Sequence, residues 1–401
     1  MAPRVHIALA ALAALLALGG CERIASFFGG DAVDGGQPLD GPEVEKAAPP
    51  DLPSGGEDPL LSDGVQLPDL LTRPASWSTP ISDSAPGRLV HAAATWDPSR
   101  QMMMIYGGIA HDRVVRGALW GFDGTSWKSF CAHPCQLPGP GPLDQLGMAF
   151  DERTRELLVF GGTRQIEGPP DLDALWALDS SGTWSKKASA PGAIRILNMG
   201  YDPMTRRVYV LGVDDYQSVY SYDTVTDSWR TLQPAAAPSL RSRGTMAMAY
   251  VGAGGLGATR ALSNTFVLCG GRSGGGAVLD DCYAFDPRVG SDGTYAKLCD
   301  SCSGEARAHG RMAYDAARRQ LVYIGGFIPG RGELAGTWIS TDGKSFKQVE
   351  MTVPSARDTS AMAYDPVREA IYLYGGNGDG CYSLGGLSPY EKNCGDTLVY
   401  R

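Results

Sequence analysis

The chain has 401 residues, of which 53 are Gly and 27 are Pro, and 43% of the residues are hydrophobic. The Gly content without a triplet period excludes collagen, and the length suits one large domain or two ordinary ones. The formal net charge of −9 argues against a general nucleic-acid binder, which needs a basic surface to release phosphate counterions. Residues 22–72 contain eleven acidic and two basic residues, so the acidity lies there and residues 73–401 are nearly neutral.

The N-terminus has the pattern of an export signal. Arg4 precedes Ile7–Leu18, twelve apolar residues that fit a signal-peptide core and are too few to span a bilayer comfortably. The run ends in Leu18-Gly19-Gly20-Cys21, which resembles the lipobox of bacterial lipoproteins. The resemblance implies that residues 1–20 are removed and that Cys21 is lipidated, with acyl chains anchoring the protein to a membrane. The alternative is ordinary secretion, with Cys21 free or in a disulfide.

The residue after Cys21 bears on the destination. Glu22 stands where an Asp is associated with retention in the inner membrane, so we expect attachment to the outer membrane. Residues 21–72 follow as a Gly-, Pro- and Asp-rich segment with no apolar period. Such a segment cannot bury enough apolar surface to offset its ordering entropy, which predicts a disordered, lipidated tether.

A motif that ends in two glycines recurs about every fifty residues from residue 73 onward. Its first glycines are 54, 51, 58, 55 and 50 residues apart, and the third copy lacks the second glycine. An aromatic residue and a turn precede each copy, and two strand-like segments with further aromatics follow it, so each unit predicts four short strands. The copies are Tyr106-Gly107-Gly108, Phe160-Gly161-Gly162, Leu211-Gly212-Val213, Cys269-Gly270-Gly271, Ile324-Gly325-Gly326 and Tyr374-Gly375-Gly376.

The period, the double glycine and the recurring Trp resemble the kelch repeat across about residues 73–401. One such unit cannot bury both faces of its sheet, whereas units stacked radially cover each other. The resemblance implies an all-β fold: a six-bladed kelch-type β-propeller of four-stranded antiparallel blades, in the superfamily that includes galactose oxidase.

The last unit stops at Arg401, after its third strand. Ser76-Trp77-Ser78-Thr79 matches the fourth-strand sequence Ser126-Trp127-Lys128-Ser129 of the first unit. We therefore predict that the N-terminal strand, within Ala75–Ser82, joins the last blade and closes the ring without a free edge.

The loops distinguish the two faces of the propeller. Turns between first and second strands are mostly short, whereas the second-to-third loops and the connections between blades are long and dissimilar, as in Ile109–Gly117, Phe327–Ala335 and Asn377–Gly395. Variable loops on a rigid scaffold commonly carry recognition. We call this side the loop face and expect the ligand there.

Four arginines fall near the start of innermost strands. Arg243, Arg307 and Arg357 each lie eight residues before the position aligned with a turn Asp, and Arg88 lies one residue earlier in its unit. In kelch domains the equivalent basic residues line the channel mouth, so the resemblance implies ligand binding by these four, with carboxylates or phosphates as partners. The alternative is that they form structural hydrogen bonds to neighbouring blades.

The other eight cysteines fall in four local couples. In an exported chain they are expected to form structural disulfides. The alternative is a redox or metal site at Cys131/Cys135 or Cys299/Cys302, but each couple offers few ligands and no helix start is apparent. The predicted couples are Cys131/Cys135, Cys269/Cys282, Cys299/Cys302 and Cys381/Cys394.

The interpretation that combines these features is a monomeric binding module, anchored to a bacterial membrane by lipid, that recognises a protein or glycan partner at the cell envelope. We expect no cofactor, no metal, no catalytic residue and no nucleic-acid partner. One alternative is a purely structural envelope protein. Another is a carbohydrate-active enzyme, either an oxidase or an epimerase.

Each enzyme alternative has a specific requirement. A copper radical oxidase needs two His and two Tyr around copper. His91 and His309 fit a structural position six residues before the turn Asp, which leaves His111 and His133. An epimerase needs channel acids or bases, and we find no paired carboxylates at repeat-equivalent channel positions.

Overall fold

The computed structural model describes residues 75–79, 85–135, 138–166, 173–194, 198–211, 219–236, 245–273, 276–349, 355–378 and 394–401. These residues form 28 β-strands. None of them forms a helix of the length and apolarity that crossing a membrane requires. The predicted signal peptide, the tether, Cys21 and Arg243 lie outside the described residues.

Most strands belong to six antiparallel sheets of four strands, which follow one another along the chain as blades. Blade 1 contains β3 (Ala93–Asp97), β4 (Met102–Tyr106), β6 (Leu119–Phe122) and β7 (Trp127–Cys131). Blade 2 contains β8 (Gly147–Asp151), β9 (Glu156–Phe160), β10 (Leu175–Leu178) and β11 (Trp184–Lys186). Blade 3 contains β12 (Met199–Asp202), β13 (Arg207–Val210), β14 (Val219–Asp223) and β15 (Ser228–Leu232).

The second half of the ring repeats this arrangement. Blade 4 contains β16 (Ala247–Val251), β17 (Thr265–Cys269), β18 (Cys282–Asp286) and β19 (Thr294–Cys299). Blade 5 contains β20 (Arg311–Asp315), β21 (Gln320–Ile324), β24 (Thr337–Ser340) and β25 (Lys347–Val349). Blade 6 contains β26 (Ala361–Asp365), β27 (Ala370–Tyr374), β28 (Thr397–Tyr400) and, from the N-terminal side, β1 (Trp77–Ser78).

The first strand of each blade lies innermost and contacts the first strands of both neighbours. β3 contacts β8 and β26, and the series continues through β12, β16 and β20 until the ring is closed. The prediction of six four-stranded blades is confirmed.

The N-terminal strand completes the sixth blade as the sequence predicts. Trp77 pairs with Tyr400 and Ser78 with Val399. The Trp77 and Tyr400 rings lie 5.3 Å apart, and the indole Nε1 donates to Thr337 Oγ1 of blade 5 at 2.9 Å. The strand therefore covers the edge of β28 and also attaches blade 6 to blade 5.

Aromatic side chains fill the wedges between blades. Between blades 6 and 1, Phe122 contacts Trp127 and Tyr372 with ring centroids 5.1 Å apart in both pairs. The Trp127 indole donates to Thr397 Oγ1 of blade 6 at 2.9 Å. This bond has the same form as that of Trp77, which explains why Trp recurs at the start of the fourth strand.

The double glycine has a structural cause at the blade junctions. The N–H of Gly326 donates to the Arg357 carbonyl at 3.0 Å, and the N–H of Gly376 donates to the Leu89 carbonyl at 2.8 Å. Gly325 has φ +60°, and a Cβ there would overlap the same Arg357 oxygen. Side chains are therefore excluded where the end of one second strand meets the next blade.

Two of the predicted loops contain short strands that form two-stranded sheets. β5 (Ile109–Ala110) pairs with β2 (Leu89–Val90), which precedes blade 1. In blade 5, β22 (Phe327–Ile328) pairs with β23 (Gly332–Glu333). The sequence does not predict these strands, because two residues are too few to show an alternation of apolar and polar side chains.

Three of the four predicted cysteine couples lie wholly within the described residues, and each forms the predicted disulfide. Disulfides join Cys131 to Cys135, Cys269 to Cys282 and Cys299 to Cys302. Cys394 is also disulfide-bonded, and its predicted partner Cys381 lies outside the described residues.

Candidate functional site at the channel mouth

The channel along the propeller axis contains two cavities. One, of about 100 Å³, lies at the loop face among the starts of the innermost strands, and we call it the mouth cavity. The other, of about 490 Å³, lies among the ends of the same strands, and we call it the turn-side cavity. Five repeat-equivalent methionines line both cavities and therefore separate them: Met148, Met199, Met248, Met312 and Met362.

One residue ahead of most innermost strands has left-handed backbone near the mouth, and hydrogen bonds link several of these residues between blades. The backbone N–H of His91 donates to the Thr359 carbonyl, that of Thr359 to the His309 carbonyl, and that of His309 to the Thr245 carbonyl, at 2.8–3.3 Å. Left-handed backbone is costly for residues other than glycine, and it persists here because bonds between blades impose it. The described residues six before the turn position all have φ between 48° and 65°: His91, Gln145, Thr245, His309 and Thr359.

A hydrogen bond joins His91 and Asp144 beside the mouth cavity. His91 Nδ1 lies 2.9 Å from Asp144 Oδ1, and the Asp144 side chain is fully buried. A carboxylate at Nδ1 fixes the ring orientation and favours a proton on that nitrogen, which leaves Nε2 as an acceptor in the neutral ring.

His309 occupies the repeat-equivalent position in blade 5. Burial lowers its pKa to about 3, and the neighbouring His91, Arg311 and Arg272 act in the same direction. The ring is therefore neutral near pH 7. Its buried Nδ1 has no hydrogen-bond partner in the described part of the chain.

Arg311 adds a cation to the lining of the mouth cavity, and Asp358 lies near it as a second buried acid. Burial raises the pKa of Asp358 to about 6, opposed by the charge of His91, by a hydrogen bond from Thr359 Oγ1 and by the charge of Arg311. Burial also lowers the pKa of Arg311 to about 10, and its Nε donates to the Ser360 carbonyl at 2.5 Å.

Several residues near the starts of the innermost strands, none of which lines the mouth cavity itself, carry buried polar atoms without a hydrogen-bond partner among the described protein atoms. A buried polar atom without a partner costs about 1–3 kcal/mol, so such atoms are normally satisfied by water or ligand. An aspartate oxygen and an amide oxygen can only accept, whereas a threonine hydroxyl can do both. The atoms are Asp144 Oδ2, His309 Nδ1, Thr245 Oγ1 and Asn377 Oδ1.

Two of the predicted arginines lie at blade junctions. Arg307 is fully buried, with its guanidinium 3.5 Å from the Trp338 ring centroid and hydrogen bonds to Glu305 and the Gly325 carbonyl. Arg357 is 1% exposed and makes two bonds of 2.9 Å to the Asp396 carboxylate. These contacts match the structural alternative.

The other two predicted arginines differ. Arg88 is exposed, and Arg243 lies outside the described residues. Ligand binding by the four arginines thus stays a prediction.

The structure shows two acids near His91 that the sequence analysis did not single out. Asp144 of blade 2 and Asp358 of blade 6 both lie seven residues before the turn Asp of their units; His91 Nδ1 of blade 1 lies 2.9 Å from Asp144, and the charge of His91 acts on Asp358. Neither acid lines the two cavities, so the absence of paired carboxylates at channel positions stays an expectation. Alignment of the units on the turn Asp would have found both residues.

Among the described residues, one group of three potential metal ligands lies within 4.8 Å: the sulfurs of Cys282, Cys299 and Cys302. All three belong to disulfides, so they present no thiolate to a metal ion. His111 is exposed, and His133 Nδ1 accepts a hydrogen bond from the Gly117 N–H at 3.3 Å.

No family model matches the sequence, and no curated protein matches it significantly. Among solved structures, one titled "Structure of YjhT" is similar, with a TM-score of 0.57 and 16% sequence identity. The match covers 79% of this chain and 96% of that chain. At this identity the likeness concerns the fold: a six-bladed β-propeller of the kelch type.

Proposed function

We propose that this protein is a glycan-binding module, anchored to the bacterial envelope through Cys21, that takes its ligand at the channel mouth. The observation that carries the proposal is the mouth cavity lined by His91 and Arg311, with Asp144 behind His91 as a buried carboxylate whose Oδ2 no described protein atom satisfies. Sugar hydroxyls can donate to His91 Nε2 and accept from the Arg311 guanidinium, whereas the Asp144 and Asp358 carboxyls close to His91 disfavour a bare anion. A glycan thus fits the mouth better than an acidic protein segment does.

The small volume limits what can enter. About 100 Å³ accommodates one or two polar groups, so the rest of a glycan would lie on the loop face. Loops that differ from blade to blade would then distinguish one glycan from another.

The test is a glycan array followed by titration calorimetry on the hits. We expect His91→Ala and Asp144→Asn to weaken binding at least tenfold, because each removes or leaves unpaired a buried group at the mouth. Glu152→Gln in the turn-side cavity is the matched control and should bind as the parent does. Equal binding by all variants, or no glycan ligand at all, would refute the proposal.

Arg88→Ala and Arg243→Ala test the arginine prediction in the same assay. A selective loss of acidic glycans in either variant would support it. Unchanged binding would remove these two residues from the site.

The envelope location is tested separately. Radiolabelled palmitate should be incorporated into the parent chain and not into Cys21→Ala, because the acyl acceptor is then lost. Labelling that survives this substitution would exclude lipidation at Cys21.

A second candidate is an epimerase acting on a sugar, and the His91–Asp144 pair next to Asp358 favours it. His91, oriented by Asp144, would accept a proton, and Asp358 would hold one below about pH 6. Deuterium incorporation into a bound sugar, abolished in both His91→Ala and Asp358→Asn, would identify this activity. A sugar that binds without deuterium exchange would favour the binding module over the epimerase.

A further inference from the structure

The turn-side cavity is lined by one aromatic ring from each blade. Its volume of about 490 Å³ lies in the range of small-molecule sites. Methionines form its inner end, and prolines of three turns lie at its rim. The aromatic residues are Trp96, Phe150, Tyr201, Tyr250, Tyr314 and Tyr364.

Three of the four tyrosine hydroxyls of this cavity form hydrogen bonds with the neighbouring blade. Tyr250 donates to Asp202 Oδ1 at 2.7 Å, and Tyr314 donates to the Gly255 carbonyl at 2.7 Å. The hydroxyl of Tyr364 accepts from the Ala317 N–H at 3.1 Å. Burial raises the pKa of Tyr250 and Tyr364, so both stay neutral phenols. These three rings present carbon and π surface to the cavity rather than free hydroxyls.

The cavity carries one charged side chain, and it is acidic. Among the described lining residues that residue is Glu152, which is exposed and has no hydrogen bond or ion pair there. Desolvation and the adjacent Asp151 raise the pKa of Glu152.

The turn aspartates behind the lining of the turn-side cavity differ from blade to blade in their charged partners. In blades 1, 5 and 6 the turn aspartate is paired with an arginine of the same turn: Arg100 with Asp97, Arg318 with Asp315 and Arg368 with Asp365. In blades 2 and 3 the described residues give Asp151 and Asp202 no such arginine. Asp151 accepts from the Arg153 backbone N–H, and Asp202 from the Tyr250 hydroxyl. Glu152 therefore lies next to a turn aspartate that has no arginine of its own turn as a partner, while Asp202 interacts at longer range with Arg288 of blade 4.

We propose that the turn-side cavity binds an organic cation, namely a quaternary or tertiary ammonium group. Aromatic rings attract such cations through their negative faces while the alkyl substituents meet apolar surface. Methionine thioethers add polarisable contacts, and Glu152 supplies the counter-charge. An anion would meet only repulsion from Glu152, and a sugar would find few free hydrogen-bonding groups.

The test is titration calorimetry of the full chain carrying Cys21→Ser with choline, tetramethylammonium and dimethylbutanol, the uncharged carbon isostere of choline. We expect the two cations to bind at least about tenfold more tightly than the isostere, because only they gain the cation–π attraction. Equal affinity for choline and the isostere, or no binding of either cation, overturns the proposal.

Variants locate the site. Glu152→Gln should weaken choline binding about threefold to fivefold, as expected for an exposed charge, and it leaves the fold intact because the side chain lies at the surface. Trp96→Leu should weaken it further. His91→Ala in the mouth cavity should bind choline as the parent does. Loss in His91→Ala with full binding in Glu152→Gln and Trp96→Leu would place the cation elsewhere and overturn the assignment.

The cation could be a free metabolite or a lipid headgroup, and a vesicle assay distinguishes these sources. Co-sedimentation with phosphatidylcholine vesicles, but not with phosphatidylglycerol vesicles, would identify the headgroup. Binding to free choline without sedimentation would identify a soluble ligand. Glycan binding is measured at the other end of the channel, so either proposal can fail alone.

Discussion

Arg357, which the sequence predicts to bind a ligand, forms buried contacts within the protein. Its guanidinium joins Asp396 and Ser355 with almost no exposure, while Arg331 on the same face is 64% exposed. Its position in the repeat makes Arg357 a candidate ligand-binding cation, because sequence alignment carries no information on burial.

We expect Arg357→Met to lower the free energy of unfolding by about 3 kcal/mol, since it leaves a partly buried carboxylate without its partner. Arg331→Met should change it by less than about 1 kcal/mol, because exposed pairs contribute little. Urea denaturation measures both. Similar losses in the two variants would contradict the structural role of Arg357.

The mouth residues should make stability depend on pH in opposite directions. The pKa of Asp358 is raised from 3.8 to about 6, so its contribution is present below pH 4 and lost as pH rises through 6. The pKa of His309 is lowered from 6.5 to about 3, so its contribution is present above pH 6.5 and lost as pH falls through 3. Between pH 4 and 6 the two slopes oppose each other.

Relative to the parent, Asp358→Asn should therefore gain stability as pH rises from 4 to 6, by up to about 1.4 kcal/mol per pH unit. His309→Gln should gain stability relative to the parent as pH falls over the same window. Denaturation curves at several pH values test both signs. Parallel profiles for all three proteins would show that neither group is buried as described.

At the scale of the strand, the glycine after β21 illustrates a close approach that only the assembled ring creates. Gly325 and Gly330 both have positive φ, at 60° and 81°. A Cβ on Gly325 would overlap the Arg357 carbonyl, whereas one on Gly330 would meet open space.

Gly330→Ala should cost about 1 kcal/mol, the ordinary cost of a left-handed alanine. Gly325→Ala should cost at least about 2 kcal/mol more, because the clash adds to that cost. Thermal unfolding of the two variants compares them directly. Equal melting temperatures would mean that the junction between blades 5 and 6 accommodates a Cβ at position 325 without strain.

The N-terminal strand is the second element with a testable role. Deleting residues through Asp83 removes β1, exposes the edge of β28 and breaks the Trp77–Thr337 bond. We expect this truncation to abolish stable folding or to cause aggregation. Deletion of residues 1–72 alone is the control and should leave the melting temperature unchanged. Equal stability of the two truncations would refute the closure.

At the scale of the whole molecule, the closed ring gives every blade two neighbours and leaves no terminal repeat. An open solenoid can fray from its ends, whereas here the opening of one blade must break two interfaces. We expect unfolding by urea to follow one transition, with coincident curves from tryptophan fluorescence and circular dichroism. Separate midpoints for the two probes would indicate that blades unfold independently.

The sequence determined the architecture because the same structural motifs recur in successive units. The double glycine marks a junction, Trp127 and Trp77 of two fourth strands donate to the preceding blade, and Ser76-Trp77-Ser78-Thr79 supplies the missing strand. It also predicted the three described disulfides, since each couple is close in sequence.

Only the tertiary structure decided which polar residues meet. Asp144 and His91 lie 53 residues apart in the sequence and 2.9 Å apart in the ring. Burial of Arg307 and Arg357 depends on the blades that close over them, and the turn-side cavity exists because six distant strands end around one axis. Local sequence specifies strands and turns, but burial, charge balance and the shape of a cavity arise from atoms that the chain brings together only when the ring closes.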